Sequence, residues 1–297
     1  MLKVLCTAFL GVFSYGAVIA QLKSQFCIGN HPECKEVRLV LKAKTGNCFI
    51  QSGISNDLIR IISNQTDEEP VYIIKDEESN KIDVINLSLD RNASKGVSKY
   101  IFQQYVSNGK ESVNDVKEWF VSLNGNKPYR LDLIYGLGNV DLNLAGLAMK
   151  HLAINSGGAD VKIWYSHIIE NKVDMDTLSI KIDMGSLTLN QVNLSRAKVI
   201  IGEVGVGDIF MDLQHCNSIL QSVNGSVGIG DLVIALPPPN VPIIVRVNNS
   251  WVSRIGISSN LRKIGQNTYV NKAYERNKSE AVTFSLDVSM GEITLKE

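Results

Sequence analysis

The residues of this chain whose types do acid–base or metal chemistry are four histidines, His31, His151, His167 and His215, and a scatter of aspartates. No two histidines fall at HxH or HxxxH spacing and no CxxC occurs, so a metal site would have to be assembled by the fold rather than locally. Surface or hydrogen-bonded histidines are the expectation. Asp132, Asp141, Asp174, Asp176, Asp183 and Asp212 lie among alternating apolar residues and are expected to point outward. Two carboxylates roughly 5 to 10 Å apart in a groove would suit glycoside hydrolysis. Nothing in the spacing singles out such a pair, and neither a Gly-x-Ser-x-Gly elbow nor a His-Glu-x-x-His helix is present.

The glycines invite two further readings. Gly202-x-x-Gly205-x-Gly207 has the look of a nucleotide loop, but such a loop must open a helix whose N-terminus holds the phosphates, and a strand pattern follows here. Gly157-Gly158-Ala159-Asp160 resembles one unit of a calcium roll, yet its counterparts lie twenty-odd residues apart, too far for a stacked cage. Asp160, Asp208 and Asp231 are therefore read as turn formers bonding backbone. The sequence predicts no catalytic residue, no metal and no cofactor.

Composition narrows the partners. In 297 residues, 30 basic side chains balance 30 acidic ones, which leaves no charge to draw nucleic acid or an anionic membrane. A hydrophobic content of 44% is ample for a substantial core. Residues 1–20 read as a signal peptide: Lys3 supplies the positive start, an apolar run follows, and Val18-Ile19-Ala20 suits cleavage before Gln21. No later segment is long and apolar enough to span a bilayer. Export to the periplasm, outer-membrane surface or extracellular space is the expected fate.

Removal of the leader leaves Cys27, Cys34, Cys48 and Cys216, which an oxidising compartment allows to pair in any of three connectivities. Cys27 and Cys34, framing a short loop with Gly29, Asn30 and Pro32, are the expected disulfide. The pairing of Cys48 and Cys216 stays open. Asn64, Asn86, Asn92, Asn193, Asn224, Asn248 and Asn277 begin glycosylation triplets, which a chain rich in Asn and Ser also produces by chance.

The elements that must position these residues are strands. Period-two alternation runs through Leu131 and Leu133, Val140 to Leu144, Leu178 to Ile182, Ile209 to Leu213, Leu232 to Leu236, Ile243 to Val247 and Phe284 to Val288. Between these runs recur glycine corners: Gly136 and Gly138, Gly157 and Gly158, Gly205 and Gly207, Gly228 and Gly230, with echoes at Gly185, Gly256 and Gly291. Sharp corners favour positive φ, which glycine adopts at little cost. Pro237-Pro238-Pro239 marks a surface loop. Val37 to Ile50 reads as an earlier turn of the same kind, and residues 58–62 and 71–74 as further strands. Near 90–126 the pattern breaks: Val113, Val116, Trp119, Phe120 and Leu123 recur at helical spacing and predict a short amphipathic helix or irregular insertion.

The stretch Tyr129 to Leu144, and the ending Tyr269 to Ile293, resemble the repeat unit and closing turn of bacterial toastrack adhesin-like domains, related to the C-terminal domain of LiaF-like cell-envelope stress proteins. The resemblance spans about residues 129–297. It implies a right-handed single-stranded β-helix, that is, an all-β solenoid, at the cell envelope, with no catalytic residues to carry over.

The expected organisation is a leader (1–20), a cysteine-containing segment (21–36), early turns plus insertion (37–128) and the solenoid (129–297). The expected function is noncatalytic: a surface that binds or spaces another envelope component, protein or glycan. Tyr135, Trp164, Tyr165 and Trp251, at or beside corners, are the expected binding aromatics. A polysaccharide-acting β-helix enzyme and a self-assembling structural homo-oligomer are the alternatives.

Overall fold

The computed structural model describes residues 24–65, 70–77, 81–90, 116–215, 219–249 and 253–297. Their regular elements are nearly all strands: β1 (Ser24–Ile28), β2 (Glu36–Gly53), β3 (Ile59–Ser63), β4 (Val71–Glu77), β5 (Ile82–Ser88), β6 (Glu118–Asn124), β7 (Pro128–Asn143), β8 (Ala148–Trp164), β9 (Met175–Met184) and β10 (Leu187–Leu189). The rest are β11 (Ala197–Val206), β12 (Ile209–Asp212), β13 (Ser222–Ile229), β14 (Leu232–Ala235), β15 (Ile243–Asn249), β16 (Arg254–Gly256), β17 (Arg262–Gly265), β18 (Thr268–Val270), β19 (Val282–Met290) and β20 (Glu292–Lys296). One short helix, α1 (Lys272–Arg276), precedes β19.

Each coil contributes a long strand to a first face and a shorter stretch, past the glycine corner, to a second. Adjacent coils pair in parallel: β2 with β7, β7 with β8, then β8 with β9 and β10, β9 and β10 with β11 and β12, and those with β13 and β14. Sequence order fails at both ends. The last strands, β19 and β20, insert between β13/β14 and β15/β16, so the chain overshoots one coil and returns to fill the gap. At the other end β2 lies between β7 on one side and β5 and β6 on the other, and antiparallel β4, β3 and β1 close that end. Beyond β15 the hairpin β17–β18 caps the stack, its edge strand carrying Arg262 and Lys263, charges that discourage further pairing.

The alternation seen in the sequence is the reason for this geometry. Leu131, Leu133 and Tyr135 of the first face and Val140, Leu142 and Leu144 of the second are at most 1% exposed and belong to one buried cluster. Each leucine so buried stabilises the fold by about 2 kcal/mol relative to exposure. No coil could do this alone, because its inward side chains close only against those of its neighbours.

Two expectations need correction. The segment read as an amphipathic helix is strand β6 over residues 118–124; Trp119, Val121 and Leu123 point inward and Phe120 outward, a period of two. Residues 91–115 lie outside the described residues. The corners, moreover, are not breaks between strands: β7 and β8 run through theirs without interruption. Positive φ is confined to the second glycine of each Gly-x-Gly, as at Gly138, Gly207 and Gly230, while Gly136, Gly205 and Gly228 are needed because a Cβ there would strike the main chain of the preceding coil. Pro237 to Pro239 do lie in the loop between β14 and β15.

The third side of each coil is loop, and buried asparagines seal it. The Asn171 side chain accepts from Met149 N at 2.7 Å and donates to the carbonyls of Met149 (2.6 Å), Val173 (2.7 Å) and Ser195 (3.1 Å), joining three coils. Asn271 does the same near the far end: it caps α1 through Tyr274 N at 3.0 Å, accepts from Ile243 N and donates to Val241 O. Buried main-chain groups in loops need such partners, since an unmade bond costs about 1–3 kcal/mol.

Candidate functional site

The outer surface of the first face is built from the side chains that alternation turns to solvent. Along one register row, Glu203 of β11 aligns with Ser226 of β13, Asp287 of β19 and Asn248 of β15. Two residues earlier on the same strands, Asn224, Ser285 and Arg246 form a second row. Neighbours in a row stand roughly 4.8 Å apart, the strand spacing. Because serines fill the middle and longer side chains the rim, the surface dips into a depression of about 370 Å³ lined by these seven residues together with backbone and inward groups of Gly225, Val247 and Leu286.

Charge is distributed unevenly around it. Glu203 at one end pairs with Lys181 at 2.8 Å, and Asp287 accepts from Asn248 Nδ2 at 2.8 Å. Arg246, at the other end, is exposed and forms no ion pair among the described residues. The depression thus offers a cation, two carboxylates, two amides and two hydroxyls on a rigid sheet, a set suited to hydrogen bonding a polar ligand.

A second polar system crosses the coils elsewhere on this face. Glu36 bonds Lys150 at 2.6 Å and Arg130 at 3.1 Å; Arg130 reaches on to Asp176 at 3.1 Å, and Asp176 to Lys198 at 3.5 Å. Partial burial alone would raise the Glu36 carboxyl, but Lys150 and Arg130 outweigh it and hold it below its ordinary value. Asp176 is likewise held down, chiefly by its bond to Arg130. This ribbon pins coils together and leaves little of its charge unmatched.

The aromatics expected at the surface fare differently. Tyr135 is 1% exposed, its hydroxyl donating to Gly46 O at 2.5 Å; it lies two residues before the apex of the corner, on the inward side of the strand. Tyr165 is 4% exposed. Both expectations are corrected: these rings are core. Trp164 is half-buried on the second face, where its indole N–H donates to Asp141 Oδ1 at 2.5 Å and Lys162 lies over the ring. Trp251 and Cys216 lie outside the described residues, as do residues 1–20, where a leader was expected.

Cys27 and Cys34 stand as separate thiols, Cys27 exposed and Cys34 buried and bonded to Glu36 O at 3.1 Å. Burial pushes the Cys48 thiol up to about 12. His31 meets Asp83 at 3.2 Å and His151 meets Asp132 at 3.9 Å, on different coils. Among the described residues no group of three His, Cys, Asp or Glu side chains gathers to hold a metal. The outward aspartates are dispersed: Asp174 pairs with Arg196 at 2.6 Å, and Asp141 is tied to Trp164. Asn193 is 3% exposed, so its triplet is closed to modification in the folded chain.

Sequence reading took Asn224 and Asn248 only as the starts of glycosylation triplets and passed over Glu203, Ser226, Arg246, Ser285 and Asp287. The available signal was register: aligning the coils on their second corner glycine brings Glu203, Ser226 and Asp287 into one column.

Stacked parallel coils turning at glycine corners make this a solenoid of the toast-rack kind. The chain belongs to the toast_rack family: residues 19–179 match its N-terminal domain, DUF2154. Two solved structures are similar. A putative cell adhesion protein from Clostridium sporogenes ATCC 15579 shares 15% identity at a TM-score of 0.47, over 93% of this chain and 98% of that one. A putative adhesin from Bacteroides fragilis NCTC 9343 shares 13% identity at 0.38, over 92% and 96% respectively. No curated protein matches the chain. No helix among the described residues is long and apolar enough to cross a membrane.

Proposed function

We propose that the protein is a noncatalytic, exported solenoid of the cell envelope, right-handed in its coiling, whose first face binds another envelope component. The observation that carries this reading is the two-row depression across β11, β13, β19 and β15. Its outward side chains are all polar and are held on strands bonded on both sides or capped, so little ordering entropy is lost when they engage a ligand. A glycan, recognised through hydroxyl pairs by Asn224, Asn248, Arg246 and the carboxylates, is the ligand class that suits it; a polar protein segment is the alternative. Right-handed coiling is what parallel crossovers favour.

Glu203 and Asp287 are the two carboxylates that a polysaccharide-cleaving enzyme would use here, but each is already committed to a neighbour, Lys181 and Asn248. A panel of envelope glycans, scored for retention and for product mass, tests the reading. Retention with unaltered glycan is expected; shortened products would replace it with catalysis, and retention of none would leave a spacer. Light scattering is expected to give a monomer, and an N-terminus at Gln21 on the exported protein would support the leader.

A further inference from the structure

Four of the large apolar residues that the fold leaves exposed occupy one register column. Met184 (54% exposed) aligns with Val206 (46%), Val206 with Ile229 (51%) and Ile229 with Met290 (52%), on four successive coils. Each stands immediately before the positive-φ glycine of its corner, Gly185, Gly207, Gly230 and Gly291. In two coils glycine also precedes it, at Gly205 and Gly228. With glycine after all four and on both sides of Val206 and Ile229, the aliphatic groups form a ridge along the corner, roughly 14 Å from first to last at strand spacing.

Nothing in the folding of the coils requires this column to be apolar. The core is filled by Ile182, Val204, Val227 and Val288, two residues earlier on each strand, and the corner only needs its glycines. The equivalent position one coil earlier is Gly158, where the corner forms with no aliphatic side chain of its own and the Leu137 side chain of the preceding coil lies over it. Four solvated aliphatic residues in a line are what an interaction surface looks like.

The flanks decide the partner. On one side run Asp208, Asp231 and Glu292, on the other Asp183, Glu203 and Asp287, six carboxylates against Lys181 and Arg254 as counter-charges, paired with Glu203 at 2.8 Å and Glu292 at 3.7 Å. An anionic bilayer would be repelled by these flanks, and a second copy docking ridge to ridge would bring carboxylate rows together. We propose that the ridge docks into an apolar groove of a protein partner whose rims carry lysine or arginine. The ridge lies beside the polar depression and shares Glu203 and Asp287 with its rim, but its apolar column stands whether or not that depression binds a glycan.

The test uses the full chain with methyl-labelled Met, Val and Ile, titrated with a peptide of alternating leucine and lysine. Expected are shifts confined to the methyls of Met184, Val206, Ile229 and Met290, weakening at least tenfold in Val206→Thr/Ile229→Thr and severalfold in Asp208→Asn/Asp231→Asn. Threonine keeps the branched shape of the strand residue, and asparagine keeps the acceptor oxygen used at the corner, so an unchanged melting temperature shows both variants folded. Equal binding of a leucine–glutamate peptide, shifts elsewhere only, unaltered affinity in the variants, or ridge-dependent binding to phosphatidylglycerol vesicles or to a second copy would each overturn the proposal.

Discussion

Asp208 accepts, through Oδ1, a hydrogen bond from the backbone N–H of Asp231 at 2.8 Å, one coil further along. Asp231 repeats the bond to Glu292 N at 2.9 Å, and Asp160 to Ser186 N at 2.9 Å. These corner carboxylates do not bond their own turn, as a local Asx motif would; each caps the backbone of the next coil. Asp231→Ala is therefore expected to cost about 1–2 kcal/mol, and Asp231→Asn much less, by thermal melting. Equal losses would mean that charge, not the acceptor oxygen, matters.

Gly207 has φ of 132° and a Cβ there would collide with the carbonyl oxygen of Gly185. Gly207→Ala is expected to destabilise by about 3 kcal/mol, strain and overlap together. Gly29→Ala, with nothing within 4 Å of the added carbon, should stay within about 0.5 kcal/mol. Denaturant unfolding compares the two.

Asn171→Leu keeps the branched shape at somewhat greater bulk but leaves the Met149 N–H and three carbonyls without their partner. A loss of about 3 kcal/mol, or several degrees in melting temperature, is expected. Tyr135→Phe should lose about 1 kcal/mol and leave glycan retention unchanged, because the ring faces the core.

Glu36, held below its ordinary value, contributes stability that is fully present above the unfolded value, 4.5, and disappears as pH falls through the lower folded value. Glu36→Gln is expected to be about 1 kcal/mol less stable than the native chain at pH 7, with the gap closing below pH ~4. A gap that persists at pH ~3 would assign the loss to packing instead.

Much of the fold was legible because its physics is local. Alternation marked the strands, and the glycine corners gave the coil spacing, since both follow from backbone sterics and burial residue by residue. Trp119, Val121 and Leu123 already alternated, but Val113 and Val116 extended them into a helical spacing that hid it. The insertion of β19 and β20 inside β15 and β16 depends on pairing between distant segments, which no local pattern encodes. Asn171 drew no notice in the sequence because its partners, Met149 and Ser195, lie on other coils. For the same reason the depression was invisible: Glu203, Arg246 and Asp287 become neighbours only once the coils are in register.

The most direct measurement is binding of a retained glycan to the native chain and to Arg246→Ala and Glu203→Gln/Asp287→Asn, by titration calorimetry with product mass recorded. A tenfold or greater loss in affinity in each variant, with the glycan intact throughout, is expected. Unchanged affinity, or cleavage by the native chain that the carboxylate variant abolishes, would contradict the account.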